Sequence, residues 1–280
     1  MAQTKIAIIT GGASGIGLAT TKAIASRPDW KVYILDANKA AGEAVASSIG
    51  SKVAFIPVDL TIYDSQAQCF KKIFQAEKRI DFVYANAGIA ERGTFYQTFD
   101  TGIEPPPEPP EMKLLIDILV NGAECTAYLA RHYFRLSPAN ADRNIVITSS
   151  CGGFYPSYYS PIYTSGKHAI LGFMRAIAPI YYDSDKIRVN AVCPGTVKTN
   201  LLSKSEWSQF PEEYFTPVEK IVQAVLILCD GKDDTDKGKD IGLMNGKAIE
   251  CSGKNHYYRE PVEYCDEAMR AVMASTERTN

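Results

Sequence analysis

Short apolar runs rich in β-branched residues alternate along this chain with longer segments in which apolar residues recur at helical spacing. The apolar runs predict seven strands, at residues 5–10, 31–36, 52–58, 81–85, 144–149, 187–192 and 247–251. Strands that are apolar almost throughout are typical of a parallel sheet covered on both faces. The pattern therefore predicts a single-domain α/β protein, a doubly wound Rossmann fold with a seven-stranded, mainly parallel sheet and helices on both faces.

Two segments interrupt this alternation. Residues 104–110 read E-P-P-P-E-P-P and cannot be helical, and residues 230–240 form a charged, glycine-containing stretch expected on the surface. Strands continue the same pattern on both sides of each segment, so neither is interpreted as a domain linker. We therefore predict one domain over residues 1–255 and a C-terminal tail over 256–280, with a short helix around residues 262–273.

Composition narrows the class of protein. The chain has 280 residues, 46% of them hydrophobic, and 30 basic against 32 acidic residues. The basic residues are dispersed, so we expect neither a nucleic acid nor a membrane as partner. Seven cysteines without Cys-x-x-Cys spacing and three histidines without ligand spacing predict packing roles and no metal site. No signal segment or membrane-length apolar stretch is found, which predicts a cytoplasmic protein.

A glycine-rich turn, T-G-G-A-S-G-I-G, follows the first predicted strand directly and opens the first helix. Gly11, Gly15 and Gly17 permit a tight turn and close approach of the backbone to a ligand, while free N–H groups at the helix start attract a pyrophosphate. The turn therefore predicts a dinucleotide-binding site.

Asp36 ends the second predicted strand, where its carboxylate can accept hydrogen bonds from ribose hydroxyls and repel a 2′-phosphate. The residue before Gly15 is Ser14 and not a basic residue, which also favours NAD over NADP. Lys39 lies nearby and is the one residue that speaks for NADP instead. The predicted cofactor is NAD.

Tyr163 and Lys167 lie one helical turn apart, and Ser150 closes the strand upstream of them. The ammonium of Lys167 is expected to lower the pKa of Tyr163, so that the phenolate can take a proton from an alcohol, while Ser150 bonds the substrate oxygen. A second pair, Tyr182 and Lys186, has no serine-bearing strand end at a comparable distance upstream. We interpret that pair as a solvated helix end.

These motifs occur in the order found in the classical short-chain dehydrogenase/reductase family, which the chain resembles over roughly residues 5–200. They are Thr10-Gly11-x-x-x-Gly15-x-Gly17, Asn86-Ala87-Gly88, Asn121, Ser150, Tyr163-x-x-x-Lys167 and Pro194-Gly195. Asp36 and the region from Asn245-Gly246 to Tyr258 further resemble the NAD-linked 15-hydroxyprostaglandin dehydrogenase branch.

The resemblance implies several residue roles. It places Asn121 in a proton-relay network on a helix over residues 112–135, gives Lys167 a second role at the nicotinamide ribose, and brings Val197 and Thr199 to the carboxamide. The predicted catalytic residues are then Ser150, Tyr163, Lys167 and Asn121. The predicted cofactor-binding residues are Gly11, Ser14, Gly15, Ile16, Gly17, Asp36, Asp59, Leu60, Asn86, Gly88, Tyr163, Lys167, Pro194, Gly195, Val197 and Thr199.

The substrate pocket is expected to come from residues 151–162 and 200–215, which are aromatic and poor in fixed charge. Such a pocket suits a bulky, largely apolar secondary alcohol that is steroid-, terpenoid- or prostaglandin-like; the same aromatic residues could instead form a subunit interface. We therefore predict an NAD-dependent alcohol dehydrogenase with a small-molecule substrate. The alternatives are an NADH-dependent carbonyl reductase and a non-catalytic NAD(H)-sensing protein. The resemblance also implies a homodimer or homotetramer.

Overall fold

The computed structural model describes residues 4–92, 95–109, 111–239 and 241–277. Within them lies one eight-stranded sheet in the order β3-β2-β1-β4-β5-β6-β7-β8, parallel except for β8, which pairs antiparallel with β7. The strands are β1 Lys5–Thr10, β2 Trp30–Asp36, β3 Val53–Pro57, β4 Phe82–Ala85, β5 Asn144–Thr148, β6 Arg188–Pro194, β7 Ala248–Ser252 and β8 Asn255–Tyr258. The predicted doubly wound α/β fold is confirmed.

Helices cover both faces of this sheet because alternate strand residues point to opposite sides. In β1, Ile6 and Ile8 join a core formed with α3, α5 and α6, whereas Ala7 and Ile9 join a core formed with α1 and α8. The helices are α1 Gly15–Ala25, α2 Lys39–Ile49, α3 Tyr63–Glu77, α4 Met112–Ile116, α5 Gly122–Leu136, α6 Pro161–Asp185, α7 Lys204–Trp207, α8 Val218–Asp230 and α9 Glu267–Ala274. None of the described helices has both the length and the apolar character needed to cross a bilayer.

The predicted helix over residues 112–135 is present with a local change of pitch. A π-helical turn, Asp117–Asn121, joins α4 to α5. Such turns insert a residue into the helix and are found frequently at functional sites. This one lies beside the carboxyl end of β4, where Leu119 contacts the segment that follows the strand.

The predicted count of seven strands was wrong by one. Strand β8 was assigned to the tail, and the predicted boundary between residues 255 and 256 falls inside it. A two-residue turn at Gly253, whose φ is 53°, folds β8 back on β7. The polar sequence Asn255–Tyr258 hides this strand, because its buried residue is His256.

The predicted surface loop at residues 230–240 contributes a buried side chain. Asp233 accepts hydrogen bonds from Nε2 of His256 at 3.0 Å and from the hydroxyl of Tyr258 at 2.9 Å. Asp240 lies outside the described residues. In the proline-rich segment 104–110, residues 104–108 are exposed, while Pro110 also lies outside the described residues. The tail helix is α9, and all of its side chains are exposed.

Candidate active site

A cleft of about 610 Å³ opens at the carboxyl ends of the parallel strands. It lies where the strand order reverses between β1 and β4, the position at which doubly wound sheets bind their ligands. Its walls come from segments that follow β1 to β6. All predicted cofactor-binding residues except Gly17 line it, and so do Ser150, Tyr163 and Lys167.

The glycine turn forms one wall of this cleft. Gly11 and Gly15 have φ of 66° and 50°, a conformation that residues with side chains rarely adopt. A Cβ at Gly17 would lie 2.1 Å from the carbonyl oxygen of Gly11, so Gly17 is required by the close packing of the turn on helix α1. Thr199 lies opposite, and a Cβ at Gly15 would lie 3.4 Å from its Cβ. The turn is thus compact, with its open side toward the cleft.

Asp36 lies at the end of β2 with its carboxylate fixed by two backbone donors. The N–H of Ala13 donates to Oδ2 at 3.0 Å, and that of Asn38 donates to Oδ1 at 2.9 Å. Each oxygen keeps a lone pair for a further donor. Lys39 does not line the cleft; its ammonium is exposed and lies 3.8 Å from Glu43. Lys39, the one basic residue near Asp36 in the sequence that opposed the choice of NAD, is therefore not part of the cleft.

Asn86 ties the cleft ends of three strands together. Its side-chain amide donates to the carbonyl of Thr10 at 3.2 Å and its Oδ1 accepts from the hydroxyl of Thr148 at 3.2 Å. Thr10 is buried, and its Oγ1 accepts hydrogen bonds from the backbone N–H groups of both Asn86 and Ala87. Gly88 follows, and a Cβ there would lie 3.8 Å from Nζ of Lys167. These contacts connect the glycine turn to the part of the cleft that contains Lys167.

The three residues with predicted chemistry meet at the ends of β5 and α6. Ser150 follows β5 and begins a 3₁₀ turn, in which its Oγ accepts the N–H of Gly152 at 3.1 Å. Tyr163 lies in the first turn of α6, where its backbone N–H donates to Glu91 at 2.9 Å. Lys167, one turn further, is buried and donates to the carbonyl oxygen of Thr148 at 2.9 Å.

The pKa of Tyr163 is shifted in the direction opposite to that predicted from the sequence. Burial raises the pKa of Tyr163 to about 12, although a hydrogen bond with Ser150 acts to lower it. Burial also lowers the pKa of Lys167 to about 8. Nζ of Lys167 is directed at Thr148 and lies 5.5 Å from the centre of the Tyr163 ring, so desolvation outweighs its effect on the phenol. The phenol is therefore protonated at neutral pH.

Asn121, the fourth predicted catalytic residue, does not bring its side chain to the cleft. It ends the π-helical turn with an exposed side chain, and its amide donates to Asp117 at 2.9 Å. The predicted participation of this side chain in a proton relay is not formed in the structure. The turn itself directs Leu119 and Ile118 toward the site, and Ile118 lines the cleft.

Tyr182 and Lys186 lie at the far end of α6, about 28 Å from Tyr163 at the helical rise of about 1.5 Å per residue. Lys186 is exposed and caps the helix with a φ of 55°. This location agrees with their interpretation as a solvated helix end.

The substrate end of the cleft is less aromatic than predicted. Tyr155, Tyr158 and Tyr159 are exposed and do not line the cleft. From residues 200–215 only Asn200, Leu201 and Trp207 do so, and Nε1 of Trp207 donates to the carbonyl of Thr199. The sequence did not indicate ten further lining residues, which come from five separate segments; they are Leu35, Ala37, Val58, Ile89, Ala90, Arg92, Glu111, Ile118, Thr148 and Ser149.

Most of the cysteines lie in packed regions, four of them buried and two partly buried, whereas Cys265, His132 and His168 are exposed. All seven cysteines are free, and burial raises the pKa of Cys151 and Cys193, the two nearest the site. His168 contacts the carbonyl of Thr164, and His256 lies between Asp233 and Lys220. Within the described residues no group of three or more potential ligands is arranged to hold a metal ion.

Comparison with known proteins agrees with this geometry. The model of the short chain dehydrogenase family matches residues 5–209. The short-chain dehydrogenase/reductase prx7 of Penicillium rubens is 41% identical over 274 residues, which cover 93% of this chain and 96% of that protein. The 15-hydroxyprostaglandin dehydrogenase [NAD(+)] of Rattus norvegicus is 26% identical over 223 residues, covering 78% and 77% of the two chains.

A solved structure supports the fold. The 3-ketoacyl-(acyl-carrier-protein) reductase from Brucella melitensis, complexed with NADH, superimposes with a TM-score of 0.72 at 23% identity, over 90% of this chain and 98% of that one. The family match, the identity to prx7 and the arrangement of the cleft lead to one conclusion: this chain belongs to the short-chain dehydrogenase/reductase family of oxidoreductases.

Proposed function

We propose that the chain catalyses NAD-dependent oxidation of a secondary alcohol to a ketone, with Tyr163 as general base. The observation that carries this proposal is the continuity of one cleft. Asp36 and the glycine turn lie at one end of the cleft, and Ser150, Tyr163 and Lys167 lie at the other. A dinucleotide held at the first end would direct its nicotinamide toward the second.

The residues present fit such a cofactor. Only glycine is tolerated at position 17, the helix start at Gly15 offers backbone donors, and the fixed carboxylate of Asp36 suits ribose hydroxyls. Lys167, Val197 and Thr199 would contact the nicotinamide half, in the roles that the family resemblance implies. When bound, NAD accepts a hydride from the alcohol carbon. NAD also appears in the name of the rat dehydrogenase relative, which supports its choice over NADP.

The chain's own residues then handle the hydroxyl proton. The hydroxyl of Ser150 donates to the substrate oxygen and orients it, and deprotonated Tyr163 takes the proton that leaves as the C=O bond forms. Lys167 favours the phenolate once its ammonium and the phenolate oxygen approach each other. Ser150 and Tyr163 line the same cleft, and the Ser150 hydroxyl acts to lower the pKa of Tyr163, which supports a shared substrate oxygen for the two groups.

The substrate end supports a bulky, largely apolar alcohol, of a steroid-, terpenoid- or prostaglandin-like kind. Apolar residues outside the predicted cofactor set that line the cleft include Ile89, Ala90, Ile118, Leu201 and Trp207. Such walls stabilise apolar ligands by burying their surface.

The reverse reaction, reduction of a ketone by NADH, is the second candidate, and one observation favours it. Because burial raises the pKa of Tyr163 to about 12, the phenol carries its proton at neutral pH and is ready to donate it to a carbonyl oxygen. A non-catalytic NAD(H) sensor is the remaining alternative; it would not need Ser150 in the cleft. The homodimer or homotetramer and the cytoplasmic location stay predictions.

The proposal is tested by incubating the protein with a panel of bulky secondary alcohols and either NAD or NADP, and with the matching ketones and NADH, while NADH absorbance is followed. We expect alcohol-dependent NADH formation. Faster turnover with NADP than with NAD would refute the role of Asp36, and NADH binding without turnover of any alcohol or ketone would favour the sensor.

A further inference from the structure

Arg92 joins two segments of the chain that line the cleft, one after β4 and one after β6. The residue follows the Asn86-Ala87-Gly88 segment after β4, and it lines the cleft. Its Nη1 donates to both carboxylate oxygens of Glu206, at 2.5 and 2.6 Å, and its Nη2 donates to the carbonyl of Leu201 at 2.7 Å. Both acceptors belong to the segment after β6. The guanidinium is thus engaged between the two segments.

Glu206 is held in place independently of Arg92. It forms a capping box at the start of α7, in which the N–H of Ser203 donates to Oε2 of Glu206 at 2.7 Å and Oγ of Ser203 accepts the N–H of Glu206. The hydrogen bonds with Ser203, followed by the contact with Arg92, lower the pKa of Glu206 to about 2. Glu206 is therefore ionised at neutral pH and compensates the charge of Arg92.

Glu111 adds a second carboxylate beside Arg92. It lines the cleft, and its Oε2 accepts the backbone N–H of Arg92 at 3.3 Å. In the described part of the chain, no Lys or Arg lies within ion-pair distance of Glu111. The described cleft-lining residues include two cations, Arg92 and Lys167, and Lys167 donates to Thr148 beside Tyr163. A substrate anion would therefore meet a compensated guanidinium and an uncompensated carboxylate.

We propose that the Arg92–Glu206 pair makes the cleft selective for uncharged substrates, so that a neutral bulky alcohol is preferred over a hydroxy acid with the same skeleton. This inference rests on the proposed function and narrows its substrate class. A carboxylate that enters would lose water against Ile118, Leu201 and Trp207 without gaining a free cationic partner. An exposed ion pair of this kind contributes little to folding stability, and its effect is on ligand choice.

The test compares deoxycholic acid with its methyl ester, two bulky secondary alcohols that differ by one negative charge. For each, kcat/KM with NAD is measured, and binding to the protein–NADH complex is followed through the change in tryptophan fluorescence, since Trp207 lines the cleft and Trp30 lies in the core. We expect the ester to be favoured by at least about tenfold, equivalent to about 1.4 kcal/mol. Raised salt should reduce the preference, because it screens exposed charges.

Glu206→Gln is the decisive variant, because glutamine keeps the capping-box geometry and frees the charge of Arg92. Its ester-to-acid ratio should fall by about tenfold through tighter binding of the acid, a gain that misfolding cannot produce. Glu212→Gln is the matched control: it removes the same charge from an exposed pair with Lys198 on the same segment and should leave the ratio unchanged.

Three results would overturn the inference: preference of the unsubstituted protein for the acid, a ratio that Glu206→Gln does not change, or failure of the ester to bind. Loss of the proposed function gives a different result. The ester would then bind in preference to the acid, and neither would be oxidised.

Discussion

Asp36 determines the expected preference for NAD, and Asp36→Asn changes its charge while keeping its shape. The carboxylate accepts one N–H group on each oxygen, from Ala13 and from Asn38. Asparagine can accept one of these, and its NH₂ group would face the other. We expect the variant to weaken NADH binding modestly and to remove the discrimination against NADPH.

The structure sets the size of both effects. Loss of one backbone hydrogen bond costs about 0.5–1.5 kcal/mol, or about two- to tenfold in NADH affinity. A 2′-phosphate within reach of Asp36 would bring like charges to roughly 4 Å, where each pair repels by about 1 kcal/mol in water and about 4 kcal/mol at a protein surface. Asp36→Asn should therefore shift the NADPH-to-NADH affinity ratio by at least about tenfold.

Energy transfer from tryptophan to the bound nicotinamide reports both affinities without a substrate, since Trp207 lines the cleft. Glu43→Gln is the control, because Glu43 lies on the adjacent helix α2 beside Lys39 and does not line the cleft. It should leave the ratio unchanged. The reasoning fails if the unsubstituted protein binds NADPH as tightly as NADH, or if Asp36→Asn leaves the ratio where it was.

Two further predictions concern Tyr163 and the glycine turn. Alcohol oxidation needs the phenolate, and burial raises the pKa of Tyr163 to about 12. The value of kcat/KM for oxidation should therefore rise from about pH 7 to about pH 10, while that for ketone reduction should not rise. A rate of oxidation that is independent of pH would contradict this direction. In Gly17→Ala the Cβ would lie 2.1 Å from the carbonyl oxygen of Gly11, so urea unfolding should show a loss of about 1–3 kcal/mol and NADH affinity should fall at least about tenfold. Gly172→Ala, whose Cβ meets no atom within 4 Å, should bind NADH normally, and equal behaviour of the two variants would count against the packing argument.

Much of the fold could be predicted from the sequence because buried parallel strands are apolar throughout. Each of the seven predicted strands lies within about two residues of an observed strand. The glycine turn and Asp36 line the cleft because each lies at the carboxyl end of a strand and these strand ends meet at one edge, and Ser150 follows β5 in the same way. Tyr163 and Lys167 reach the cleft from helix α6, where the helical repeat places both on one face.

The rest depends on contacts between distant segments. Strand β8 was missed because its buried residue is His256, whose polarity is satisfied by Asp233 across 23 residues of chain. The direction of the Tyr163 pKa shift could not be obtained from helical spacing, because it depends on burial and on the carbonyl of Thr148 that holds Lys167. Arg92 could not be found either, as its partner Glu206 lies 114 residues away.

The exposed tyrosines show the limit of composition. Tyr158 and Tyr159 follow Ser150 closely in sequence, yet both lie exposed on the surface and do not line the cleft. The aromatic residues near Ser150 in the sequence thus predicted a more aromatic pocket than the structure has. Trp207, which lies far along the chain, fills that place together with aliphatic residues.

The central claim is that Tyr163 exchanges the proton in a reaction supported by NAD. It is tested most directly by turnover of the best alcohol with Tyr163→Phe, together with NADH affinity from tryptophan fluorescence. We expect kcat to fall at least about a hundredfold, because general acid–base catalysis contributes that much, while NADH affinity stays within about threefold. Unchanged turnover by this variant would contradict the claim.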